Sequence, residues 1–223
     1  MCWQKMLLTV SLAASLLLSN SAKGDSVLEA VEALPEGLSK EVAATIEPKG
    51  LKVVSAGNAV CSVWRVKEVT TKASFKPTLS VKYPFIAGEL IGVLQVQAKA
   101  KFTDFRGQEM KAGLYTLRYG QQPEDGNHIG SSDLADFLLA IPAAVDADPK
   151  PINGFEALSQ KSAKSAASTH PAIFSLLPID KPVEKAILSH DKSKGFTVLT
   201  SNLTAKGGSA VPFRIVVIGK SGE

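Results

Sequence analysis

The sequence predicts a mainly β chain, folded as an antiparallel β-sandwich or a barrel-like variant of it. Three observations lead there. Eight or nine segments have extended character, little helix separates successive ones, and in the clearest segments apolar and polar residues alternate with a period of two. Alternation means one face buried and one face wet, and the lack of intervening helix argues against repeated β-α-β units.

The first element is a leader rather than part of the fold. Lys5 precedes an apolar run from Met6 through Leu18, and small residues follow at Ser19, Ser21 and Ala22. A charged start, a short apolar middle and a small-residue exit describe a secretory signal peptide, residues 1–22. The mature start falls between Ala22 and Asp25. The run is too short for the roughly 20 residues that span a bilayer, so no transmembrane segment is expected after its removal. Cys2 lies ahead of the run instead of at its exit, which disfavours a lipid anchor. The expectation is therefore an exported protein, periplasmic or extracellular, with residues 25–223 as one domain.

Two short helices are expected next. Val27, Leu28, Val31 and Leu34 form one helically spaced apolar set; Leu38, Val42, Ala43 and Ile46 form another beyond the break at Pro35-Glu36-Gly37. Pro48 and Gly50 then end the helical signal. Leu51–Ser55 and Ala59–Val69 read as consecutive strands across the turn residues Gly57-Asn58. In Leu90–Phe102, Leu94, Val96, Ala98, Ala100 and Phe102 alternate with Gln95, Gln97, Lys99 and Lys101. In Leu114–Tyr119, Tyr115, Leu117 and Tyr119 alternate with Thr116 and Arg118. Asp136–Ile141, Ala172–Leu177, Phe196–Leu203 and Val211–Ile218 complete the strands. Asp148-Pro149-Lys150-Pro151 opens an exposed excursion, and Phe155, Leu158, Ser162, Ala163 and Ala166 recur at helical spacing, so one helical insertion is expected near 155–168, across a sheet edge or an open end.

Composition limits the function classes. Without residues 1–22 the chain carries 24 cationic and 21 acidic side chains, a net charge of +3. Its lysines are dispersed among acids and strand residues, unlike the clustered basic face of a nucleic-acid binder. Cys61 is the one cysteine left after the leader, so no intrachain disulfide is available, and its apolar neighbourhood marks it as a small core hydrophobe. No Gly-x-Ser-x-Gly elbow and no phosphate-cradling glycine loop occurs. Asn202-Leu203-Thr204 matches a glycosylation acceptor by pattern but falls inside an expected strand.

The densest polar stretch, Arg118 through Asp133, joins two expected strands. Turn formation by Pro123, Gly126 and Gly130, with short polar side chains satisfying backbone donors, explains most of it. A ligand-binding use would take Tyr115, Tyr119 or Trp64 as an apolar platform and Arg118, Asp125, Asn127 and His128 as directional partners, for a carbohydrate or a cell-envelope protein. A third use makes Asp125, His128 and Asp133, with Asp136 beside them, metal ligands or an acid/base set of a hydrolase-like enzyme; no two histidines stand one helical turn apart to support it. His170 and His190 read as surface residues.

The block Gly113-Leu114-Tyr115-Thr116-Leu117-Arg118-Tyr119-Gly120, then Asp125-Gly126-Asn127-His128 and Asp136-Phe137-Leu138-Leu139, resembles a group of exported bacterial proteins of no assigned activity. The similarity runs from Val63-Trp64-Arg65 to the Pro212–Val217 strand. It implies an extracytoplasmic β-sandwich, no catalytic residues to carry over and no cofactor.

Overall fold

A computed structural model describes residues 26–122, 134–166 and 168–221. In chain order they form β1 (Val27–Val31), α1 (Lys40–Thr45), β2 (Gly50–Ser55), β3 (Asn58–Arg65), β4 (Leu90–Val96), β5 (Phe102–Thr103), β6 (Glu109–Met110), β7 (Gly113–Gln121), β8 (Asp136–Pro142), α2 (Phe155–Ala163), β9 (Ala172–Ser175), β10 (Ile187–Asp191), β11 (Phe196–Thr204) and β12 (Ala210–Ile218). One sheet runs β1-β2-β3-β4-β7-β8-β9, a second runs β10-β11-β12, and β5 pairs with β6 in a small ribbon. Every pairing between named strands is antiparallel.

The result is a mainly antiparallel β-sandwich, as the alternation predicts. The described sheets do not close into a barrel. They meet at one border, where Leu176 bridges Ile215 and the Leu177 amide donates to the Arg214 carbonyl at 2.9 Å. The main core takes side chains from both sheets, among them Val63, Leu94, Leu117, Leu138 and Phe174 from the larger and Leu199, Phe213 and Ile215 from the smaller. Cys61 is in this core and fully buried, and burial pushes its thiol up to about 12.

The N-terminal expectation needs correction. Residues 27–31 form an edge strand, not a helix, paired with β2 from Val27↔Val54 to Val31↔Gly50. A short apolar set fits either period, an isolated helix of this length pays nucleation without enough bonds to recover it, and β2 offers a free ladder. The second expected helix does form. Ser39 caps α1, its hydroxyl accepting from the Val42 amide at 3.1 Å, and Val42 and Ile46 enter the core. The expected hairpin is β2–β3, but its turn lies one residue earlier than Gly57-Asn58. Ala56 (φ 49°) and Gly57 (φ 76°) both take left-handed backbone, the geometry of a type I′ turn.

Two further differences bear on the site. The extended run from Leu90 ends at Val96, and Ala98 is exposed, because the chain turns where the Ala100 amide bonds the Gln97 carbonyl. Helix α2 ends at Ala163 and lies over the outer face of β8, where Leu158 packs with Leu139 and Ile141. The Ser162 hydroxyl ties it down, donating to the Ala140 carbonyl at 2.7 Å and accepting from the Ala172 amide at 3.0 Å. The sheet's second face is therefore covered at β7 and β8, not open to water.

Candidate functional site

Strands β7 and β8 are neighbours within the larger sheet, and their last pair, Gln121↔Asp136, is the stem of the 123–133 connection. One side chain organises that stem. The Asp136 carboxylate accepts from the Tyr119 hydroxyl through Oδ1 and from the Lys82 amide through Oδ2, while Gln121 Nε2 donates to the Tyr119 oxygen at 3.0 Å. The Gln122 amide bonds the Ala135 carbonyl at 2.8 Å, and the Ala135 amide bonds the Ser80 carbonyl at 2.9 Å, so a third segment, around residue 80, is joined to the same end. Below, Tyr83 donates to the Leu177 carbonyl at 2.6 Å and accepts from the Arg214 amide at 3.0 Å, and the Phe85 ring meets Tyr119 edge-on.

Asp136 is fully buried, and no ion pair of the described residues neutralises it. Burial raises its pKa above the ordinary carboxyl value, opposed by the Tyr119 hydrogen bond and by backbone amides. Tyr119 is displaced upward as well, first by burial and then by the adjacent carboxylate, which disfavours a phenolate.

On the opposite face of β7, Arg118 is fully buried and engaged on every side. Nε and Nη2 grip the two Asp146 oxygens at 2.8 and 3.0 Å; Nη1 donates to the carbonyls of Gly88 (3.0 Å) and Lys150 (2.6 Å), and Nη2 to that of Asp148. Thr116 adds its hydroxyl to Asp146. The excursion is exposed at Asp148, Lys150 and Pro151, as expected, but one arginine holds its carbonyls over the sheet as a strap. Gly88 permits its close approach: φ is +80°, and a Cβ there would stand 2.0 Å from the Ile152 carbonyl oxygen.

The candidate residues consequently separate. Arg118 and Tyr119 face inward onto protein groups, and a ligand would have to displace those groups to reach them. Tyr115 is 5 % exposed, with its hydroxyl on the Lys111 carbonyl at 2.7 Å, at the side of an open hollow of about 510 Å³ that Glu109, Lys111, Leu114, Pro142 and Lys164 also line. Trp64 is no platform: it is buried, its indole packed against Gly50, and it donates to the Ala33 carbonyl at 3.1 Å. Asp125, Asn127, His128 and Asp133 lie outside the described residues. His170 and His190 are exposed, and the Asn202 amide is taken by the Val183 backbone. Among the described residues no three His, Cys, Asp or Glu side chains are grouped to hold a metal.

Sequence reasoning missed Asp146, and the Tyr119 and Lys82 partners of Asp136. It also passed over Asp104, another buried carboxylate, which accepts from the amides of Arg106, Gln108 and Ile173 and from Gln108 Nε2. A signal for Asp104 exists in Asp104-Phe105-Arg106-Gly107, a turn of the kind an aspartate side chain closes. Nothing local marks Asp146 as the partner of Arg118.

Comparison with protein-family models, with curated proteins and with solved structures finds no match to this chain.

Proposed function

We propose that the protein is an exported, non-catalytic binding module whose ligand, a carbohydrate or a cell-envelope protein, is engaged by the connection between β7 and β8. The observation that supports this most is the stem. Asp136 ties the start of β8 to Tyr119 on β7 and to the backbone at Lys82, so both ends of the connection are set by a buried network. Binding residues carried on a loop between rigid elements are a recurring arrangement. The stem's own polar side chains, Tyr119, Gln121 and Asp136, are spent on each other, which leaves recognition to Asp125, Asn127 and His128 of the connection. The missing nucleophile elbow and phosphate loop in the sequence favour binding over catalysis.

The test is a panel of glycans and envelope proteins screened against wild type and the Asp125→Ala/His128→Ala pair. A hydrogen bond to a charged group contributes about 1.5–3 kcal/mol, so the pair should weaken a true ligand at least about tenfold. Identical binding by both proteins across the panel would remove the connection from the site. A melting temperature raised by zinc, copper, manganese or calcium, and lost in His128→Ala, would replace this reading with the metal-dependent one, since a ligand of the native state stabilises it.

A further inference from the structure

Beside the stem stands the most exposed large apolar side chain of the described residues. Leu79 is 93 % exposed, whereas the other such residues range from 42 % to 50 %. A single exposed leucine is unremarkable by itself. Its mounting is less ordinary. Leu79 sits at the tip of a turn closed by the Thr78 amide on the Val81 carbonyl at 2.8 Å and by the Val81 amide on the Thr78 hydroxyl at 3.0 Å. Pro77 restricts the approach to that turn, and the Ala135 amide fastens the Ser80 carbonyl to the stem of the larger sheet. The leucine is thus held outward on a braced support rather than left free to fold back onto the surface.

The segment that carries the turn has charge of one sign. Between Glu68 and Glu89 the chain contains no acid, and it carries Lys72, Lys76 and Lys82. The Lys82 ammonium donates to the Thr78 carbonyl at 2.7 Å, which brings one cation onto the turn itself. Lys76 lies three residues before Leu79, within about 11 Å even for extended chain, and both Lys72 and Lys76 are exposed. Phe75, half-buried, follows Lys72 in the same stretch. An apolar tip with a basic collar complements one kind of surface well: hydrocarbon below an anionic headgroup layer, which takes the leucine while the lysines remain at the phosphates.

We infer that the Thr78–Val81 turn docks on an anionic lipid surface, with Leu79 inserted and Lys72, Lys76 and Lys82 in the headgroup layer. This goes beyond the binding reading above; the two share only Lys82, whose backbone amide holds the stem and whose ammonium reaches the turn, and none of the variants below changes it. The connection 123–133 carries Glu124, Asp125 and Asp133, acids that oppose an anionic surface.

The processed chain, residues 23–223, holds every described residue and lacks the apolar leader, which would partition into lipid by itself. Its one tryptophan is Trp64, buried in the sheet, so a Leu79→Trp variant adds a reporter at the tip against a constant background. Its emission should shift to the blue on phosphatidylglycerol–phosphatidylcholine vesicles and remain unshifted on phosphatidylcholine vesicles. In sedimentation, Leu79→Ser should lower partitioning into the anionic vesicles about tenfold or more, the worth of burying one leucine, with an unchanged melting temperature. Lys72→Gln and Lys76→Gln should each cost about fivefold, and high salt should abolish binding. An unshifted Leu79→Trp spectrum on anionic vesicles, an equal shift on both vesicle types, or undiminished binding by Leu79→Ser would overturn the inference. Asp125→Ala/His128→Ala should leave vesicle binding undiminished, so a failure here and a failure of the ligand screen are separate results.

Discussion

Replacing Arg118 by methionine tests the covered outer face of the sheet directly. The substitution keeps much of the side chain's apolar length but removes six donations: two to Asp146 and one each to the carbonyls of Gly88, Asp148, Pro149 and Lys150. The arginine and aspartate side chains are 0 % and 2 % exposed, so solvent screening does not discount the loss. Asp146 is left as a buried carboxylate holding the Thr116 hydroxyl. Removing one partner of a buried pair costs about 3–5 kcal/mol. At about 2–4 °C per kcal/mol for a domain of this size, the melting temperature should fall by roughly 6–20 °C. Thermal melts and urea denaturation of wild type, Arg118→Met and the Arg118→Met/Asp146→Leu double variant measure the shift and its free energy. The double variant removes the stranded charge, and Asp148 and Lys150 are exposed residues whose carbonyls can turn to water, so it should recover about 2 kcal/mol or more of the loss. A single variant within about 1 kcal/mol of wild type, or a double variant no better than the single, would refute the account of the strap as clamped by this ion pair.

Asp136 should show a pH dependence opposite to that of a salt-bridged carboxylate. Its folded pKa is raised by burial, so the folded state holds the proton more tightly than the unfolded chain. Its contribution is therefore fully present below the unfolded value of about 3.9 and is lost as pH rises through the folded value. The stability of wild type relative to Asp136→Asn should fall with rising pH across that window; a difference that grows with pH would contradict it. At the β2–β3 turn, Ala56 occupies left-handed backbone at φ 49° ahead of Gly57. Asparagine tolerates that region better and Asn-Gly suits the type I′ turn, so Ala56→Asn should raise unfolding stability by about 0.5–1 kcal/mol in urea. No gain would mean that the turn relaxes without cost.

The sandwich was legible where a strand's two faces meet different surroundings over many residues. β11 and β12 emerge within a residue or two of their expected limits, because long β-rich runs with turn residues between them have few alternatives. α1 was legible through a local device, the Ser39 cap and the apolar spacing that follows. β1 was misread because its apolar residues satisfy two periods at once. β10 was passed over because it is an edge strand with four of its five residues exposed, leaving no buried face to alternate. In β7 the alternation of Tyr115, Leu117 and Tyr119 with Thr116 and Arg118 implies one buried and one wet face, yet both faces are buried. The second face is covered because residues 146–150, far along the chain, lie over it.

From the sequence by itself came the antiparallel β architecture, the helical insertion and the core position of Cys61, since each follows from composition or from a repeat read over neighbouring residues. The tertiary structure decided which polar residues are available to a ligand. Arg118 and Tyr119 look like a binding pair in one dimension and act as clamps in three, because Asp146 and Asp136 reach them across the fold. A residue's chemistry is local, but its partner is chosen by packing.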